Sequence, residues 1–325
     1  MFRRLHRLLH FGLLICAGFA PVASAAQDLE RPEVVCTVGM VADIARAVAG
    51  DRAEVTSLIG PGVDPHLHKP TRSDIARLMK ADLIVAVGLH LESRMDETLD
   101  RAAKSGRTVI RVGDLLPKEV LLRESEENAT DPHLWMDPRL WARTASPIAD
   151  ALSRLDPEGA GIYRANAAAL VKNLDVLDTW SAKTLATVPE KTRVLVTAHD
   201  AFEYFGRRYG FEVVGIQGIS TESEAGVRDI ARIVDLLVSR GIPAVFVEST
   251  VPTRHIEALV AGAGARGHKV VVGGELFSDA MGDAGTYEGT YPGMVDHNIT
   301  TIVRALGGEA SAKGRLGKLA EEPSE

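Results

Sequence analysis

"RVLVTAHDAFEYFGRRYGFEVVGIQGI", residues 193–219, lies over "EVVCTVGMVADIARAVAGDRAEVTSLI", residues 33–59, as strand, helix and strand. Two further pairs keep the register: "IPAVFVES" from 242 lies over "ADLIVAVG" from 81, and "HKVVVGGELF" from 268 over "RTVIRVGDLL" from 107. Every shift is 160 or 161 residues, and a near-constant offset over several segments marks an internal duplication. Short β-branched runs that each lead into a helical or turn segment are parallel β/α units. The expected fold is therefore α/β. Two similar β/α sandwich lobes, each with a parallel sheet, begin near Pro32 and near Arg193.

Between the copies, residues 157–190 carry Leu170, Leu174, Leu177 and Trp180 at helical spacing, so one long amphipathic helix is expected. Such a helix measures roughly 35 to 40 Å and acts as a rigid strut. The expected organisation is a signal peptide over 1–25, lobes over 26–156 and 191–307 with the strut between them, and a disordered tail over 308–325. The tail is poor in apolar residues and rich in Gly, Ser and charge.

The first residues, "MFRRLHRLLHFGLLICAGFAPVASA", have the three parts of a secretory signal: Arg3, Arg4 and Arg7, an apolar stretch from Leu8 to Phe19, and Ala23-Ser24-Ala25. The apolar stretch is shorter than the ~20 residues that span a bilayer, so cleavage after Ala25 and a periplasmic location are expected. Lipidation at Cys16 is disfavoured by Ile15, bulky where a lipid-attachment box carries a small residue. Cleavage removes three arginines and no acid, taking the net charge from −7 to about −10, and such a surface has no use for nucleic acid. Only Cys36 then remains, so no intramolecular disulfide forms and stability rests on packing. With 325 residues, 46% of them hydrophobic, the chain is large enough for two cores.

In open α/β sheets, ligands bind beyond the carboxyl ends of strands, and paired lobes bind in the cleft between them. Four chemistry-bearing residues follow strands: His66 after "AEVTSLIG", His133 in "TDPHLWMDP", His199 after "VLVTA" and Asp279 after "VVVGGELFS". Alone, each is an ordinary cap or solvated side chain. Together, two from each lobe, three imidazoles and a carboxylate make a nitrogen and oxygen cage for a metal. His68 stands two residues from His66. "PHLHKPT" is irregular before Pro70, so spacing does not choose between the two, but the Asp-Pro-His-Leu string recurs around His133 and favours His66. His90 lines the cleft at most, and His255, His268 and His297 read as helix or strand-edge residues. Glu248, at the end of "AVFVES", is either a structural carboxylate or a group that orients a histidine from behind.

"GPGVDPHLHKPTRSDIARLMKADLIVAVGLHLE", "DPHLWMDP", "VLVTAHDAFEYFGRRYGFEVVGIQGISTESEAG", "VFVEST" and "GGELFSDAMGDAGTYEGTYPGMVDHNITTIVRAL" resemble the metal-binding solute receptors of ABC importers, the cluster A-I group, and most of all its TroA-type zinc and manganese receptors. The resemblance runs from about Glu33 to Leu306. It implies two lobes joined by a backbone helix, one divalent metal in the interlobe cleft, and His66, His133, His199 and Asp279 as its ligands. It also implies a membrane permease with a cytoplasmic ATPase as partner, and a monomer is expected. Many relatives carry Tyr at the position of His68, and zinc-dedicated ones carry a His-rich loop where residues 118–131 have no histidine. Three His and one Asp suit manganese or zinc and also accommodate ferrous iron; the missing loop tilts the expectation to manganese.

The expected role is binding and delivery rather than turnover. A metallohydrolase would use the three histidines as ligands and Asp279 as base beside an open water position, but no HExxH string or second acidic cluster accompanies them. A nucleotide enzyme would need a Gly-rich cradle that "TVGMVADIARAV" lacks. A surface adhesin on the same fold would be marked by metal-independent binding.

Overall fold

The computed structural model describes residues 31–123 and 129–320. The expected signal peptide, its cleavage point and part of the histidine-free loop before His133 lie outside the described residues.

In the first lobe the order is β1 (Glu33–Cys36), α1 (Gly39–Ala49), β2 (Glu54–Ser57), α2 (Arg72–Lys80), β3 (Leu83–Ala86), α3 (Asp96–Lys104), β4 (Thr108–Arg111), α4 (Pro138–Ala142) and α5 (Ala145–Leu155). The long helix α6 (Ala160–Leu185) follows. The second lobe then runs β5 (Val194–His199), α7 (Glu203–Tyr209), β6 (Glu212–Gln217), α8 (Val227–Arg240), β7 (Ala244–Glu248), α9 (Arg254–Ala265), β8 (Val271–Leu276) and α10 (Tyr291–Ala305).

All strand pairs in the two lobes are parallel. β2, β1, β3 and β4 form one sheet in that order. In the second lobe β5 pairs with β6, β7 pairs with β8, and β5 lies against β7, so the duplicated strands repeat the order of the first lobe. The central strands read as unbroken apolar runs because both faces are covered: β3 and β5 are buried at every position. Since parallel strands point their carboxyl ends the same way, each sheet delivers its following loops to one edge.

The strut is a single helix of 26 residues, about 39 Å long, with short 3-10 turns at Pro157–Gly159 and Glu190–Thr192 filling out the expected span. Tyr163, Ala167, Leu174, Leu177, Ser181 and Leu185 form its buried face, on which α1, α4 and α5 of the first lobe and α10 of the second pack. Its start is stapled by Asp156. That carboxylate receives Arg52 through both oxygens (2.7 and 2.9 Å), the Tyr163 hydroxyl (2.6 Å) and the Gly159 amide (3.2 Å). A Cβ at Gly159 would stand 2.3 Å from Asp156 Oδ2, so only glycine admits the carboxylate there. In its last third, Asp178 is fully buried and binds Arg208 of α7 and Arg139 of α4, tying the strut to both lobes.

The expectation of a disordered tail from 308 is corrected for residues 308–320. Asp296 on α10 is fully buried, and the Arg315 amide donates to both of its oxygens (2.8 and 3.0 Å). Tyr287 donates its hydroxyl to the same carboxylate, and the Ala320 amide reaches Glu288 Oε1 at 3.0 Å. A buried carboxylate needs donors, and the tail supplies them from its backbone, which composition does not disclose. Among the described residues, no helix is long and apolar enough to cross a membrane.

Candidate metal centre

Both copies of the Asp-Pro-His string fold alike. The Asp64 side chain accepts the His66 amide at 2.8 Å, and Asp131 accepts the His133 amide at 2.9 Å, each an Asx turn that presents the imidazole off the loop. His199 is the last residue of β5, and Asp279 lies in the loop after β8. The four side chains, two from each lobe, converge until one ligand atom from each lies within 4.8 Å of every other.

The spacings are those of donors around an ion. His66 Nε2 is 3.4 Å from His133 Nε2, His133 Nε2 is 3.3 Å from Asp279 Oδ1, and Asp279 Oδ2 is 3.2 Å from His199 Nε2 and 3.6 Å from His66 Nε2. Tetrahedral donors on arms of about 2.1 Å stand about 3.4 Å apart. The exposures of His66, His133, His199 and Asp279 are 3%, 0%, 0% and 1%, and His199 Nε2 and both Asp279 oxygens have no hydrogen-bond partner. Buried polar atoms left open in this way need an explanation, and a shared cation supplies one.

Two carboxylates behind the cage set the histidines. Asp131 Oδ1 also faces His133 Nδ1 at 2.8 Å, and Glu248, at the end of β7 beside β5, takes the His199 amide on Oε1 (2.8 Å) and faces its Nδ1 with Oε2 (2.6 Å). With Nδ1–H donated to a carboxylate, Nε2 is left as the ligand atom, and the imidazole becomes a stronger base. The pKa values follow. Burial disfavours the charged form of His133, but Asp131 and Asp279 outweigh it and bring its pKa up to about 9. His199 is raised well above its usual value, burial again being overcome by Glu248 and Asp279. His66 falls to about 3, because burial dominates and, against the pull of Asp279, the neighbouring His133 and His199 charges repel a further proton. Burial would raise Asp279, yet His199 and His133 hold it well below the usual carboxylate range.

His68 stays out of the cage. Its Nε2 is 3.4 Å from Asp74 Oδ2, the carboxylate that completes the capping box of α2 with Thr71. Of the remaining histidines, His90 stands in solvent beside Asp96, His255 faces Glu224, and His268 and His297 bond the carbonyls of Ile242 and Glu275.

A family model described as zinc-uptake complex component A, periplasmic (ZnuA), matches residues 34–305. The chain belongs to the ZnuA family. It is similar to the manganese-binding lipoprotein MntA of Bacillus subtilis strain 168, 46% identical over 296 residues, which cover 91% of this chain and 95% of that one. It is equally similar, at 46% over 276 residues, to the zinc-binding protein TroA of Treponema pallidum, covering 85% of this chain and 89% of the relative. The solved structure of that periplasmic zinc-binding TroA superposes with a TM-score of 0.82 over 85% of this chain and 99% of the other. Fe(III)-bound YtgA of Chlamydia trachomatis, 30% identical, gives 0.77 over 86% and 99%.

This ZnuA-family chain thus has the two-lobed α/β architecture that its internal duplication predicts. Sequence reasoning missed Asp131 and Trp135. The first had a signal, since it heads the same Asp-Pro-His string as Asp64. Trp135 had none: its ring packs edge-on against His133, and its indole N–H donates at 2.7 Å to the Ser278 carbonyl, next to Asp279 and 143 residues away.

Proposed function

We propose that this chain is the substrate-binding receptor of a metal ABC importer, exported to the periplasm, where it captures one divalent cation in the His66, His133, His199 and Asp279 cage. It hands the ion to a membrane permease driven by a cytoplasmic ATPase. The observation that carries the reading is the cage itself: four buried donors from two lobes, at metal-ligand spacing, with the far sides of His133 and His199 already held by carboxylates. Manganese and zinc are the cargoes, in keeping with the relatives named for each. Asp279 turns one oxygen to His133 and the other to His199, so it offers both to an ion, and the resulting fifth donor favours manganese. The role is binding and delivery by a monomer, with no catalytic step and no nucleic acid. Cleavage after Ala25 frees the mature chain.

The test is the metal content of the mature protein purified without chelator or tag, with competitive titration of manganese against zinc. One equivalent of metal is expected, lost in His199→Ala while the fold is kept. Absence of binding by the parent, or stoichiometric binding by the variant, refutes the assignment.

A further inference from the structure

Of the three histidines, His66 has no carboxylate at Nδ1 among the described contacts. Its setting comes through its backbone, from Asp64 Oδ1 at 2.8 Å. The other oxygen of Asp64 is held from across the cleft: the Thr221 hydroxyl of the second lobe donates to Oδ2 at 2.5 Å. Thr221 belongs to the loop between β6 and α8. Gln217, at the root of that loop, is the ladder partner of His199 in the β5–β6 pairing, and its side-chain amide donates to the Ser223 carbonyl at 2.8 Å. One end of the loop is therefore fixed beside one cage residue, and its tip grips the support of another in the opposite lobe. A second crossing contact, Arg94 Nε to Glu222 Oε1 at 2.8 Å, lies in solvent with side chains 32% and 45% exposed, where an ion pair contributes little. The half-buried, charge-assisted Thr221–Asp64 bond is the stronger of the two.

We infer that Thr221 is a positioning residue for metal binding: reaching across the cleft, it fixes Asp64 and through it the His66 loop, so that the second lobe sets a ligand of the first. This rests on the metal-receptor reading above. Because the bond joins the lobes, it is made once they have come together, and its loss acts on the escape of the ion rather than on its capture. The bond also adds nothing to the core of either lobe.

The experiment compares parent, Thr221→Val and Thr221→Ser, each loaded with Mn2+ or with Zn2+ alone. Dissociation is followed by stopped-flow chase into excess chelator, association by rapid mixing, and the Tm of each metal-free protein is recorded. Valine keeps the shape and removes the donor. Dissociation about tenfold faster is expected for it, with association within twofold of the parent, the metal-free Tm unchanged, and serine restoring parental dissociation. Valine dissociation within twofold of the parent overturns the inference. So does an equal acceleration in valine and serine, or an acceleration matched by a fall in metal-free Tm. A parent that binds neither ion defeats the receptor reading itself, which is a separate outcome.

Discussion

Replacing Glu248 with Gln tests how the cage is charged before metal arrives. At pH 7 the metal-free site holds a proton on His133, whose pKa is about 9, and on His199, raised well above 6.5, whereas His66, at about 3, is neutral and Asp279 is ionised. A metal needs a free lone pair on every ligand, so binding at pH 7 should release about two protons per ion. The Glu248 charge is the largest single influence that keeps His199 protonated, and Gln preserves its shape without that charge. The release should fall from about two protons toward one. The less basic imidazole should also bind metal about 10 to 100 times more weakly, which is about 1.4 to 2.8 kcal/mol.

The sign of the pH dependence follows from the direction of these shifts. A raised histidine pKa stabilises the protonated, metal-free form at low pH, and that stabilisation is lost as pH rises through the folded value, about 9 for His133. Parental affinity therefore climbs between pH 6 and 9. The Gln variant has less proton to displace at pH 6, so its deficit against the parent is smallest there and widens toward pH 9. Isothermal titration in buffers of different ionisation enthalpy counts the protons, and chelator competition across the same range gives the affinities. Release near zero in the parent, or a count unchanged by Glu248→Gln, would refute the reasoning.

His68→Ala should leave manganese and zinc affinity within about threefold, since His68 serves the α2 cap at Asp74, whereas His66→Ala should lower both by at least about a hundredfold; equal losses in the chelator-competition assay would show that His68 shares the site. Asp178→Asn removes the buried charge that ties the strut to Arg208 and Arg139. Breaking a fully buried pair costs about 3 to 5 kcal/mol, and because the Arg139 side chain is 54% exposed and that of Arg208 27%, about 2 kcal/mol is expected here. Scanning calorimetry of the metal-free protein should show a Tm lower by about 3 °C, with metal affinity preserved; an unchanged Tm would mean that the Asp178 pairs add nothing to the hold on the strut.

The convergence of the four side chains was legible because parallel β/α units place functional groups on the loops after strands, and a duplication read at 160 or 161 residues tells which loops face one another. His199 and Asp279 needed only that rule. Glu248 was left between two roles because its partner is 49 residues away on a neighbouring strand, and only the 2.6 and 2.8 Å contacts with His199 choose between them. The tail was misjudged for a related reason: low hydropathy says what a segment cannot bury, but not which buried acceptor elsewhere, here Asp296, will order its backbone. Trp135 and Thr221 were invisible, since their bonds to Ser278 and Asp64 span 143 and 157 residues and follow no periodicity.

The two Asp-Pro-His strings also show why a shared motif does not mean a shared role. Each makes the same turn, with one carboxylate oxygen on the histidine amide. Asp131 turns that same oxygen to the imidazole Nδ1, so His133 is fixed from within its own lobe and, with Asp279, made basic. Asp64 instead turns its second oxygen to Thr221 of the other lobe, so the placement of His66 depends on the cleft, while burial keeps its imidazole neutral. If the proposed receptor role holds, an ion at His66 displaces no proton but is kept there only with the lobes together, whereas at His133 it displaces a proton from a side chain already in place. On the receptor reading, retention of the ion thus draws on lobe position at one string and its capture on pH at the other, although the local sequence is the same.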